Sequence, residues 1–267
     1  MRALCNALDN DRLHHAYLFT GTRGVGKTTL ARILAKSLNC ETGISSKPCN
    51  VCGSCREIDE GRFIDLLEVD AASRTKVDQT RELLDQVPYA PVRGRYKVYL
   101  IDEVHMFSDS SFNALLKTLE EPPPHVKFLL ATTDPQKVPV TVLSRCQRFD
   151  LRRVEPEVMI ALMRKIATAE KAEIAEDALA LIARAAEGSV RDATSLLDQA
   201  ISHGAGETSA IQVRAMLGLA DRGRVLDLFD MILKGDAAGA LTELSAQYAE
   251  GADPMAVLRD LAEITHW

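Results

Sequence analysis

The sequence predicts an α/β domain built on a parallel five-stranded sheet, followed by helical domains. Three observations indicate this. A G-x-x-x-x-G-K-T turn follows a short apolar run and precedes a helical pattern. Apolar runs of strand length then alternate with helical patterns as far as residue 151, which is typical of a parallel sheet covered on both faces. From Glu155 onward Ala, Leu, Glu and Arg dominate, and no convincing strand follows.

The elements of the first part are predicted from these patterns in chain order. An amphipathic helix is expected within residues 1–15. Strands are predicted at Ala16–Phe19, Ile64–Asp70, Lys97–Asp102, Val126–Thr132 and Gln147–Leu151. Helices are predicted after the glycine-rich turn as far as Lys36, over Val77–Val87, and over Ser110–Glu120, where three prolines end the helix.

The second part reads as helices separated by short breaks. Gly188 is suited to end one helix and Ser189 to cap the next. A loop is expected at Gly204–Glu207. Helices are predicted at 156–171, 176–187 and 189–203, then through Met216, and over Val225–Leu233, Gly239–Tyr248 and Pro254–Trp267.

The charge balance leaves the binding partners open. The 267 residues include 32 Lys+Arg and 38 Asp+Glu, a net charge of −6, so any contact with nucleic acid must come from a local basic patch. The sequence contains neither an apolar run of membrane-spanning length nor the apolar core of a signal peptide. We therefore expect a cytoplasmic protein without a membrane partner.

The glycine-rich turn carries the clearest chemical signal. In a strand–turn–helix context its backbone N–H groups and the following helix N-terminus favour phosphate oxygens. Lys27 is predicted to reach the β- and γ-phosphates and Thr28 to hold Mg²⁺; an ordinary glycine turn is the alternative. The predicted nucleotide-binding residues are Gly21, Thr22, Arg23, Gly24, Val25, Gly26, Lys27, Thr28 and Thr29.

Further catalytic candidates follow two later strands. Asp102 and Glu103 end an apolar strand, where Asp102 is predicted to orient Mg²⁺ and Glu103 to polarise the attacking water. An acidic strand end is the alternative. Thr133 could hydrogen-bond that water or the γ-phosphate, and the neighbouring Thr132 could do the same. Arg145 and Arg191 suit developing phosphate charge, although an exposed arginine remains the alternative for each.

Four cysteines predict a structural zinc site. Cys40, Cys49, Cys52 and Cys55 follow the spacing C-x8-C-x2-C-x2-C, and four thiolates at this spacing can surround one Zn²⁺. The intervening segment is polar and has little apolar content to bury, so a metal would supply its fold. Reduced free thiols are the alternative.

Together these motifs resemble those of the tau/gamma subunits of bacterial DNA polymerase III clamp loaders, a family of AAA+ ATPases. The resemblance implies an AAA+ domain at 1–154 with the zinc module at about 40–55, a lid at 155–205, and an incomplete collar domain at 206–267. It also implies a start later than is usual in the family. The matching segments are Arg23–Thr28, the cysteines, Asp70–Val77, Asp102–Met106, Leu115–Pro122, Thr132–Lys137, Ser144–Cys146 and Gly188–Asp192.

The resemblance implies an ATP-driven subunit that opens the sliding clamp and loads it onto primed DNA. Its partners would be the delta, delta prime and further tau/gamma subunits. Arg145 would act in a neighbour's site as an arginine finger, and Arg191 would sense the γ-phosphate of its own site. Polymerase activity would belong to the DNA polymerase III holoenzyme and not to this chain. The residues implied to contact DNA phosphates are Arg74, Lys76, Arg81 and Lys117.

Two other functions fit parts of the pattern. A branch-migration helicase motor would share the AAA+ motifs, but the inserted cysteine module argues against it. A non-hydrolysing scaffold could keep the fold, but it would not need Lys27, Thr28, Asp102 and Glu103 together.

Overall fold

The computed structural model of the protein describes residues 2–72, 82–203, 208–218 and 222–266. The chain divides into two compact units, Met1–Arg153 and Val154–Trp267. No helix within these described ranges is long and apolar enough to cross a membrane.

The first unit is built on the predicted parallel five-stranded sheet. Its strands lie in the order β2-β3-β4-β1-β5, and every neighbouring pair is parallel. All seven residues of β4 are buried, as expected for the central strand of a sheet covered on both faces. The strands are β1 (Ala16–Thr20), β2 (Leu66–Asp70), β3 (Lys97–Asp102), β4 (Val126–Thr132) and β5 (Gln147–Asp150).

Helices cover both faces of this sheet. On one face Leu18, Tyr99 and Phe128 pack with apolar residues of Asp109–Glu120. On the other, the alternate strand residues pack with Leu30, Leu34 and Leu38 of Lys27–Asn39 and with the first helix. The described helices are Arg2–Asp9, Lys27–Asn39, Gly53–Asp59, Asp109–Glu120 and Val140–Leu143, with 3₁₀ turns at Val104–Met106 and Pro135–Lys137.

Several predicted boundaries differ from the structure. The first helix ends at Asp9 and does not extend to residue 15. The helix predicted over Val77–Val87 is described only from residue 82 and ends at residue 85. The second strand begins at Leu66 because Asp65, predicted to lie within it, is 1% exposed and accepts hydrogen bonds of 2.6–2.7 Å from the backbone N–H groups of residues 92–94.

The second unit is helical, as predicted. Ser189 caps its third helix by accepting a hydrogen bond from the Asp192 N–H. The first two helices end two residues earlier than predicted, and both Gly204–Glu207 and Trp267 lie outside the described residues. The described helices are Pro156–Ala169, Glu176–Ala185, Val190–His203, Ala210–Leu217, Arg222–Lys234, Ala237–Ala249 and Pro254–His266.

Candidate nucleotide-binding site

The glycine-rich turn joins β1 to the helix Lys27–Asn39 and has the shape of a phosphate cradle. At Gly21, a Cβ would lie 2.6 Å from the carbonyl oxygen of Leu151, and Gly26 has a left-handed φ of 93°. Lys27 is 6% exposed, and its Nζ donates to the carbonyls of Gly21 and Thr22 at 3.0 Å. The ammonium is therefore held beside the turn, where the helix N-terminus also favours an anion.

Thr28 meets the acidic end of β3 at the carboxyl edge of the sheet. Its hydroxyl donates to Asp102 Oδ2 at 2.7 Å, although the two residues are 74 positions apart in the chain. The other oxygen of Asp102 accepts from the Glu103 N–H at 2.9 Å. A hydroxyl and a carboxylate oxygen in contact are hard ligands of the kind that Mg²⁺ prefers, so this pair fits the predicted metal.

Glu103 is held by the end of β4. Its backbone has a left-handed φ of 47° and ψ of 45°, which is uncommon for a residue other than glycine. Its Oε2 accepts from the Thr133 hydroxyl at 2.9 Å and from the Thr133 N–H at 3.2 Å. His105 Nδ1 lies 3.3 Å from the same oxygen. The structure thus brings five predicted site residues together at the carboxyl edge of the sheet, where the sequence pattern predicts them. They are Lys27, Thr28, Asp102, Glu103 and Thr133.

The four predicted metal-binding cysteines form one cluster at the start of the helix Gly53–Asp59, which contains Cys55 and is capped by Cys52. This helix was not predicted from the sequence. The Sγ atoms of Cys40, Cys49, Cys52 and Cys55 all lie within 4.8 Å of one another. A tetrahedral site with Zn–S bonds of about 2.3 Å requires sulfurs about 3.8 Å apart. The cluster therefore fits a closed, four-sulfur zinc site.

The cysteine thiols do not share one protonation behaviour. Burial acts to raise the pKa of both Cys40 and Cys55, and at Cys55 it raises the pKa to about 12. At Cys40, hydrogen bonds from the Cys49 N–H and from Thr42 outweigh burial and lower the pKa to about 6. Cys40 is thus predisposed to the thiolate form that binds metal, whereas metal binding would release the proton that Cys55 retains.

Family models and relatives identify the chain. The model for the DNA polymerase III delta subunit matches residues 1–155, the clamp loader ATPase lid model matches 160–206, and the model for domain III of subunits gamma and tau matches 208–267. The DNA polymerase III subunit gamma of Buchnera aphidicola (Schizaphis graminum) is 44% identical, with 100% of this chain and 73% of the relative covered. The chain belongs to the gamma/tau family of DNA polymerase III subunits.

Longer members of the gamma/tau family are also similar. Subunit tau of Escherichia coli is 56% identical over 100% of this chain, and subunit tau of Bacillus subtilis is 44% identical over 97% of it. The chain spans 41% and 46% of the lengths of these two relatives.

Among solved structures, the fold resembles that of RuvB. The Thermotoga maritima RuvB Holliday junction branch migration motor has a TM-score of 0.59 at 18% identity, covering 94% of this chain and 80% of that one. At this identity the likeness concerns the fold alone. It extends over the parallel sheet and most of the helical part of this gamma/tau family member.

The two predicted arginines lie in different units of this gamma/tau chain. Arg145 precedes β5 in the first unit and is half-buried; its guanidinium donates to Glu120 Oε1 and to the Thr141 carbonyl, both at 2.8 Å. Arg191 is exposed in the first turn of the second unit's helix Val190–His203, next to Asp192. Their predicted roles in phosphate chemistry stay predictions.

The residues predicted to contact DNA are only partly described. Lys117 is exposed on the helix Asp109–Glu120. Arg74, Lys76 and Arg81 lie outside the described residues, so their arrangement with Lys117 stays a prediction.

The structure adds three residues that sequence reasoning missed. Asp65 fixes the backbone of residues 92–94 ahead of β3, Glu120 binds Arg145, and His105 contacts Glu103. His105 carried a signal, because it comes two residues after Glu103 in the matching segment Asp102–Met106. Glu120 likewise lies in the matching segment Leu115–Pro122. Asp65 carried no signal, since it looks like an ordinary charged residue beside an apolar run.

Proposed function

We propose that this chain binds Mg-ATP and hydrolyses it as a motor subunit of the bacterial replicative clamp loader. The observation that carries the proposal is the contact between Thr28 and Asp102 at 2.7 Å beside Lys27, with Glu103 held one residue further on. This arrangement supplies a phosphate cradle, a metal-binding pair and a carboxylate base at one edge of the sheet.

Each residue has a definite task in this proposal. Lys27 exchanges its carbonyl partners for phosphate oxygens when the nucleotide enters, which places its charge on the β- and γ-phosphates. Thr28 and Asp102 hold Mg²⁺, which supplies charge neutralisation on the phosphates when bound. Glu103 accepts a hydrogen bond from the attacking water and orients it in line with the γ-phosphate. Thr133 already donates to Glu103, so it lies where it can contact that water.

The family relationship supports the assembly part of the proposal. In an assembly with delta, delta prime and further gamma/tau copies, Arg145 would complete the site of a neighbouring subunit, and Arg191 would respond to the γ-phosphate of its own chain. ATP binding would hold the sliding clamp open on primed DNA, and hydrolysis would release it. Residues 1–154, 155–205 and 206–267 would serve as the ATPase, lid and beginning of the collar, and the cysteines would hold one Zn²⁺ to fix the module at 40–55.

Nucleotide binding is the first test. We expect Lys27→Ala to raise the Kd of Mg-ATP at least about 100-fold, because it removes a charge that contacts two phosphates. Isothermal titration calorimetry with the wild type, Lys27→Ala and Lys165→Ala measures this; Lys165 is an exposed lysine of the second unit and is the matched control. Equal binding by wild type and Lys27→Ala would contradict the assignment of the phosphate cradle.

Hydrolysis is tested separately from binding. We expect Glu103→Gln to retain Mg-ATP but to lower the single-turnover rate about 100-fold or more, because the amide cannot accept the proton of the attacking water. Glu68→Gln, which changes a carboxylate on β2 that pairs with Arg32, is the matched control. Binding without turnover in the wild type would favour the scaffold alternative, and unchanged turnover in Glu103→Gln would show that another group is the base.

A further inference from the structure

His105 lies in the 3₁₀ turn Val104–Met106, directly after β3 and Glu103. Its side chain is only 10% exposed. Nδ1 lies 2.9 Å from Thr132 Oγ1 and 3.3 Å from Glu103 Oε2. One ring atom therefore contacts both the end of β4 and the carboxylate proposed as the catalytic base.

The surroundings of His105 Nδ1 favour the tautomer in which this nitrogen carries the hydrogen. A bare Nδ1 would place the negative end of the ring dipole 3.3 Å from a carboxylate oxygen, which is repulsive. With a hydrogen on Nδ1, the ring donates to Thr132 Oγ1 and also attracts Glu103 Oε2. Thr132 is fully buried, and its Oγ1 also accepts from the Asp134 N–H at 3.1 Å, so the hydroxyl against which His105 packs is itself fixed.

The groups that contact Glu103 differ in what else they are needed for. The Thr133 hydroxyl is the group proposed to contact the attacking water or the γ-phosphate, so its bond to Glu103 is lost when it turns toward the nucleotide. The Nδ1 of His105 contacts Thr132 and lies 3.3 Å from Glu103 Oε2, and neither partner is a residue of the phosphate cradle. The His105 ring and the Thr133 N–H, at 3.2 Å, can therefore stay beside Glu103 while the Thr133 hydroxyl changes partner.

We propose that His105 is a positioning residue for Glu103: its Nδ1–H holds the carboxylate in the hydrolytic orientation while Thr133 engages the nucleotide. This inference rests on the proposed ATP hydrolysis. It does not make His105 a catalytic residue, because no contact of His105 with the reacting atoms is required.

The test separates turnover from binding. We expect His105→Ala to lower kcat for ATP about tenfold, the effect of losing one polar contact with a charged group, while the Kd of Mg-ATP changes less than about twofold. His105→Asn places an amide N–H at the same number of bonds from Cβ as Nδ1, so we expect it to restore kcat to within about threefold of wild type. His125→Ala is the matched control, because His125 precedes β4 at the opposite edge of the sheet and contacts Tyr89.

Coupling and tautomer provide independent readouts. In a Glu103→Gln background, His105→Ala should cause no further loss of kcat, because the group that it positions is already inactive. Nitrogen-15 NMR of histidine-labelled protein at pH 8.5, without nucleotide, should show the His105 hydrogen on Nδ1, whereas neutral imidazole in water favours Nε2.

The proposal is overturned if His105→Ala retains wild-type kcat while Glu103→Gln loses it, if His105→Asn is as slow as His105→Ala, or if the hydrogen lies on Nε2. Failure of the proposed function has a different signature. In that case the wild type does not hydrolyse ATP, or Glu103→Gln hydrolyses it at the wild-type rate, whatever the residue at position 105.

Discussion

The left-handed backbone of Glu103 predicts an unusual order of stability between two small substitutions. Glu103→Ala and Glu103→Gly both remove the carboxylate and its bonds to Thr133 and His105, so they differ only in the residue placed at φ 47° and ψ 45°. The left-handed region costs a residue with a Cβ about 1.5 kcal/mol. Glycine loses about 0.7 kcal/mol through its greater freedom in the unfolded chain. We therefore expect Glu103→Gly to be more stable than Glu103→Ala by about 0.8 kcal/mol.

An exposed helical position supplies the control with the opposite sign. Asn113 is exposed within the helix Asp109–Glu120 of the same unit, so Asn113→Ala should be more stable than Asn113→Gly by about 1 kcal/mol. Urea unfolding of the four variants gives the two differences in the free energy of unfolding. Unfolding is followed by circular dichroism and by probes of the first unit that do not use tryptophan. If alanine is favoured at position 103 as well, the backbone there is not strained, and the argument that the fold imposes this conformation on Glu103 is refuted.

Three further predictions concern the metal, a buried carboxylate and a buried amine. Protein purified without chelator should hold one zinc per chain by mass spectrometry, and absence of zinc would contradict this. Removal of the zinc should increase hydrogen exchange in residues 40–55, while the affinity for Mg-ATP should change less than about twofold. Asp65→Asn should lower the free energy of unfolding by about 3 kcal/mol in urea, since an amide cannot accept from all three N–H groups; a loss below about 1 kcal/mol would contradict it. Burial lowers the pKa of Lys127, so Lys127→Met should have a larger free energy of unfolding than the wild type at pH 7. This advantage should shrink as the pH rises from the lowered pKa of the folded state toward 10.5, the pKa of the unfolded state, because the ammonium is then lost in both states. An advantage independent of pH would count against this account.

The sequence was sufficient for the sheet and for the side chains at its carboxyl edge. Uninterrupted apolar runs predict buried parallel strands, and residues that follow two such runs must meet at one edge. Asp102 and Glu103 were therefore predicted from local patterns alone. The cysteine spacing gave the four-sulfur cluster for the same reason, because short loops limit how far apart the thiols can lie.

Contacts between distant segments were not predictable in the same way. Asp65 reads as a strand residue, and only the folded chain shows its carboxylate bound to the backbone of residues 92–94. The contact of Arg145 with Glu120 joins residues that are 25 positions apart and has no pattern in the sequence. The left-handed conformation of Glu103 is likewise imposed from outside, because glutamate does not favour it.

The sheet order has a consequence for how the proposed nucleotide site forms. Thr28, Asp102 and Thr133 come from segments that are each tens of residues apart, and β4 lies between β3 and β1. The strand before Thr28 (β1) and the strand that ends at Asp102 (β3) are not neighbours in the sheet, because β4, which comes later in the chain, lies between them. Such non-local pairing gives a high contact order and slow folding. Recovery of nucleotide binding during refolding should therefore coincide with completion of the whole sheet, so a nascent or partly unfolded chain would not consume ATP.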